Sequence, residues 1–207
     1  MYLAFKVIAA SLFILMLAQP LSAWPADAYR DIFEGARRNL PASLQRLLVD
    51  LEPTFSQPCP IAQTPDPDTI RAVANLAIQE LSGSEGDLGR AVAAMRDLGC
   101  ATAAMNDPSA VEMDDLVLAQ KQNFAVVFYG WHPLIRDGNL SGYLEIRVRE
   151  HQRLQDRFER TSELPSLSDQ VALSPEFGLA SLAFSHAITD VANVWMYVWT
   201  SVNGSLE

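Results

Sequence analysis

The chain has 207 residues, a formal net charge of −10, 49% hydrophobic residues and two cysteines. Without a run of Lys or Arg, such an acidic chain excludes recognition of nucleic acid or of anionic membranes through a basic surface. It does not exclude a phosphate ester held by a metal ion, because the ion's own charge can dominate a local site.

The first residues, "MYLAFKVIAASLFILMLAQPLSAW", place Lys6 before an apolar run from Val7 to Ala18, followed by Gln19-Pro20 and small residues up to Ala23. This pattern reads as a secretory signal peptide over 1–23, and the run is short for a membrane span. Leu21 and Ala23 fit the −3 and −1 positions, so cleavage is expected before Trp24. A single domain over 24–207 is then expected, secreted or periplasmic, without a membrane span and with a net charge of about −11 once Lys6 is removed.

From there the apolar spacing is helical nearly throughout. Helices are expected over 26–39 and 42–51, stopped by Pro41 and Pro53. "PTFSQPCPIAQTPDPD" is a proline-rich loop, after which Asp66-Pro67 supply N-cap and N1 of a third helix to about Leu81. "SGSEGD" breaks the chain before a long helix over 87–106, which Asp107-Pro108 stop. A helix from about 111 to 128 follows, with "FAVVFYG" readable instead as a short strand. Beyond the turn "RDGNLSG", residues 142–160 make a very polar helix whose alternating charges suit a solvated face. In that setting His151, beside Glu150, reads as a solvated imidazole.

Ser174 as N-cap, Pro175 at N1 and Glu176 in the first turn start a last helix that runs without a breaker to about Ser201. It is apolar almost throughout between Leu179 and Trp199, which makes it the central helix of an all-α, single-domain bundle. Export favours a Cys59–Cys100 bridge closing a loop of about 40 residues, worth ~4 kcal/mol in the chain-entropy model; two buried free thiols are the alternative.

Two places suggest chemistry. "SHAITDVANVW" sets His186 four residues before Asp190 on one face of the buried last helix, where a lone carboxylate is costly. An imidazole and a carboxylate so placed suit zinc, but by itself the pair is weak evidence of a metal, and a helix salt bridge or a hydrogen-bonded core histidine is the plainer reading. "YGWHPLIRDG" places His132 between aromatics, including Tyr129, and a turn carrying Arg136 and Asp137, which makes it either a ligand pocket or a helix end packed on the core.

The mature amino-terminal Trp of "LSAW", the helix "GCATAAMNDP" with Gly99 eight residues before Asp107, and the late His-x3-Asp followed by Trp195 together resemble the zinc-dependent phospholipases C and the related single-strand-specific nucleases. The resemblance touches most of the mature chain and implies an all-α fold with a metal cleft that hydrolyses phosphate esters. It also implies metal ligation by His186, Asp190, Asp107 and the Trp24 terminus, whose amine exists only after export.

The chain departs from that pattern. Ala103 stands where the family's middle helix carries a His, "SAVEMDD" holds no His, and Tyr29 is the nearest candidate on the first helix. With His132, His151 and His186 as the only histidines, a complete three-zinc centre cannot be built. Two readings follow: a degenerate site on a retained fold, serving binding of a small molecule or protein or a structural role, or a one-zinc phosphoric ester hydrolase acting through metal-bound hydroxide.

Overall fold

The computed structural model describes residues 24–49, 57, 59, 65–83, 87–107, 111–162 and 174–206. The expected signal peptide, most of the proline-rich loop and Pro108 lie outside the described residues. Among the described residues eight α-helices follow one another: α1 (Ala26–Arg37), α2 (Ala42–Val49), α3 (Pro67–Ser82), α4 (Leu88–Ala104), α5 (Val111–Gln120), α6 (Pro133–Arg136), α7 (Leu140–Ser162) and α8 (Pro175–Ser201). Among the described residues there is no strand, and no helix is long and apolar enough to cross a membrane.

The helix starts follow local chemistry. Asp66 accepts from the Thr69 amide at 2.7 Å, Asp87 from Gly89 at 2.8 Å and Ser174 from Phe177 at 3.1 Å, each satisfying an amide that the helix itself leaves without a partner. α3 and α4 form a hairpin, and α8 runs through the middle of the bundle against α4, α1, α7, α3, α5 and α6. Ala180, Ala183, Ala187 and Ala192 are buried on α8, and such small side chains let neighbouring helices approach on several sides.

Two indoles fix α4. Trp24 donates from Nε1 to the Ala103 carbonyl at 2.8 Å, and Trp195 donates to the Met95 carbonyl at 2.7 Å. Gly99 makes the second contact possible: a Cβ there would lie 2.8 Å from Trp195 Cζ2 and 2.9 Å from Phe33 Cε1. A Cys59–Cys100 disulfide, with Cα atoms 5.6 Å apart, ties the loop before α3 to the same helix.

Two expectations are corrected. The helix expected over 111–128 ends at Gln120, passes through a 3-10 turn over Lys121–Asn123 and leaves the chain extended up to α6. The reason is tertiary, because α8 offers side-chain partners to the backbone of that extended segment. His151, expected as a solvated imidazole, is instead buried at 6% exposure on a face of the polar helix where the Arg147 side chain is only 11% exposed.

Candidate functional site

The extended segment explains one polar stripe of α8. Ser185, Thr189 and Asn193 are spaced by four, so they stack on one helix face at ~6 Å intervals, close to the ~6.6 Å covered by two extended residues. The Val127 amide donates to Ser185 Oγ at 3.1 Å and the Tyr129 amide to Thr189 Oγ1 at 3.2 Å. Asn193 Oδ1 then accepts from the His132 amide at 2.9 Å, while its Nδ2 donates to the Gly130 carbonyl at 3.2 Å. His132 lies three positions after Tyr129 rather than two, and Gly130 absorbs the difference at φ 90, a backbone region that disfavours side chains.

A second stripe carries His186 and Asp190, and the Asp190 carboxylate meets α7. Asp190 is fully buried and receives three donors. Arg147 Nε lies 2.7 Å from one carboxylate oxygen and 2.9 Å from the other, Asn106 Nδ2 donates at 2.9 Å, and the Tyr143 hydroxyl donates to Oδ1. Arg147 also donates from Nη1 to Glu150. Tyr143, Arg147, Glu150 and His151 share one face of α7 through their spacing of four, seven and eight residues.

The environment sets the protonation states. Burial and the Asp190 charge push the Tyr143 hydroxyl well above its ordinary range, so it stays a donor. Burial works against the charged form of Arg147, but Asp190 together with Tyr143 and Glu150 more than offsets it and holds the guanidinium ionised. Burial lowers His151 to about 4, and burial together with the Arg147 charge lowers His186. Both rings are neutral at pH 7. Neither ring nitrogen of His151, nor Nδ1 of His186, has a hydrogen-bond partner among the described residues.

The candidate residues are distributed as follows. The Tyr129 ring meets His186 edge-on with centroids 5.3 Å apart, and His132 meets Tyr143 in the same way at 5.1 Å. The two residues expected to line a pocket therefore adjoin the two stripes of α8. His132 also acts locally, since its Nδ1 accepts from the Leu134 amide at 3.2 Å and caps α6. Trp24 and Asp107 are buried around the C-terminal end of α4, with Trp24 edge-on to Phe184 at 5.9 Å. It is Asn106, one residue before Asp107, that reaches Asp190.

Sequence reasoning missed Asn106, Tyr143, Arg147 and the burial of His151. A signal existed in α7, where Tyr143, Leu144, Arg147, His151 and Leu154 fall at helical spacing on one stripe.

A zinc ion does not fit Asp190 as the side chains stand. Both oxygens are engaged, and an ion would have to displace a guanidinium at hydrogen-bonding distance. Among the described residues no three His, Cys, Asp or Glu side chains are grouped to hold a metal. No family model, curated protein or solved structure matches the chain.

Proposed function

We propose that this is an exported helical protein of the phospholipase C and nuclease-like type that works by binding, or as a structural module, rather than by hydrolysing phosphate esters. The observation that carries this reading is the state of Asp190: its carboxylate is consumed in holding α7 and the end of α4 to α8. The competing one-zinc hydrolase, with His186, Asp190, Asp107 and Trp24 as ligands, requires Arg147 to leave that carboxylate. The Cys59–Cys100 disulfide fits an oxidising compartment, as export demands.

A surface suited to a partner adjoins the same region. Among the described residues, four of the eight exposed large hydrophobic side chains are Leu118 on α5 and Val126, Val127 and Tyr129 in the extended segment that follows it. Exposed apolar side chains clustered in this way mark contact surfaces more often than scattered ones do.

The test is metal content of the protein recovered from the exported fraction, with its amino terminus sequenced, and assay on bis-p-nitrophenyl phosphate and phosphatidylcholine. A chain starting at Trp24, free of stoichiometric zinc and inert on both substrates, is expected. About one zinc per chain together with turnover that a chelator abolishes would replace this reading with the hydrolase.

A further inference from the structure

Residues 125–129 form an extended ribbon held to α8 by one edge only. The Val127 and Tyr129 amides and the Ala125 carbonyl meet side chains of α8. Because the peptide bonds are trans, the carbonyl that shares a peptide plane with each of those two amides points the opposite way. These are the carbonyls of Val126 and Phe128, and the alternation of an extended chain turns the Phe128 and Gly130 amides outward with them. Among the described residues none of these four groups has a hydrogen-bond partner. The side chains beside this open edge are apolar, with Val126 47%, Val127 46% and Tyr129 53% exposed. An unpaired edge of this kind is a template for another strand.

The free groups are complementary to themselves. With Phe128 on a two-fold axis, an antiparallel copy exchanges amide-to-carbonyl bonds between the two Phe128 residues and brings each Gly130 amide to the Val126 carbonyl opposite. The two groups that would continue this ladder are already engaged: the Val126 amide donates to the Phe124 carbonyl at 3.0 Å, and the Gly130 carbonyl accepts from Asn193 at 3.2 Å. Two donors and two acceptors therefore stand in each copy where their mates require them. In the same register Val127 of each copy lies opposite Tyr129 of the other, a β-branched and aromatic pair of the sort that stabilises sheets. Charge permits the match here, since residues 122–135 carry no Asp, Glu, Lys or Arg in a chain whose net charge of −10 repels its copies elsewhere.

We infer that this edge is a homodimer contact, in which a second copy of the chain pairs antiparallel through residues 126–130 about Phe128. The inference rests on the binding or structural reading only in giving its apolar surface an occupant. A contact of so few residues is small, so the dimer is reversible and forms at micromolar concentrations or above.

The experiment is sedimentation velocity of the chain recovered from the exported fraction, from about 1 μM to about 500 μM, with amide hydrogen exchange at both ends of that range. Wild type should pass from monomer to dimer, more readily at higher salt as repulsion is screened. The Phe128 and Gly130 amides should exchange at least about threefold more slowly in the concentrated sample, while those of Val127 and Tyr129, already held by α8, stay unchanged. Phe128→Pro removes the central outward donor from a residue that is already extended, and should weaken association about tenfold or more without loss of helical circular dichroism. Val127→Lys and Tyr129→Glu should each weaken it, and an equimolar mixture of these two variants should associate about threefold or more tightly than either alone, because the register sets the new charges opposite each other.

Monomer at every concentration and salt overturns the inference and leaves the surface to a different partner. It is overturned equally by a dimer whose Phe128 amide is not protected, or by one in which the mixed variants gain nothing. The binding-protein reading fails by a different observation, zinc-dependent turnover of phosphate esters by the wild-type chain.

Discussion

The two polar stripes of α8 are neighbours on one helix and solve opposite problems. Ser185, Thr189 and Asn193 are neutral and meet the backbone of residues 125–132, whereas Asp190 meets side chains of α7 and the turn after α4. A neutral hydroxyl or amide can be satisfied by any correctly spaced backbone, so the first stripe asks only for an extended neighbour. A buried carboxylate needs an opposite charge and several donors, so the second stripe depends on particular residues far away in sequence. The neutral stripe aligns a segment; the charged stripe locks helices together.

The largest expected effect breaks the charged stripe. Arg147→Ala leaves Asp190 buried without its partner and should cost about 3–5 kcal/mol in urea denaturation. Arg147→Met/Asp190→Asn removes both charges and should recover most of that loss. Equal instability of the single and double variants would show that packing rather than charge holds the α7–α8 seam.

Acid distinguishes the stripes next. His151 is held at about 4 by burial against an ordinary 6.5, so between these values the unfolded chain binds a proton that the folded chain refuses. Its contribution is intact above pH 6.5 and is lost as pH falls toward about 4, on the order of 3 kcal/mol in all. His151→Met should flatten that part of the stability profile. An unchanged pH slope in this variant would place the titrating group elsewhere.

The neutral stripe should respond more weakly. Asn193→Leu strips partners from the His132 amide and the Gly130 carbonyl and should cost roughly 2 kcal/mol, with nearly the same value at pH 5 and pH 8. Thr189→Val, which keeps the shape and removes only the acceptor of the Tyr129 amide, should cost about 1 kcal/mol. Hydrogen exchange at Tyr129 checks this directly, since its amide should exchange faster in Thr189→Val while amides in α7 stay unchanged. Loss of protection in α7 as well would mean that the stripes act as one unit.

Much of the fold was legible because it is local. Pro67, Pro175, Asp66 and Ser174 carry start signals that act within one turn, and the unbroken apolar run of the last helix announces its burial on every side. The spacing of His186 and Asp190 likewise placed them on one face whatever the surroundings. The end of the fifth helix was not legible in the same way: "NFAVVFYGW" carries no proline and only one glycine, and its Val127 and Tyr129 amides are drawn off by Ser185 and Thr189, some sixty residues later.

The sequence alone therefore determined an all-α domain, a central last helix and a His-x3-Asp pair on one face of it, since periodicity, capping and chain spacing are properties of contiguous residues. Tertiary structure alone decided what that pair faces. Arg147 and Asp190 are 43 residues apart, Asn106 and Asp190 are 84 apart, and no local pattern relates them. A carboxylate can be satisfied by a metal, a guanidinium or a set of neutral donors. The helix that carries it is the same in each case, and only the packing of α7 and α4 against α8 selects among them.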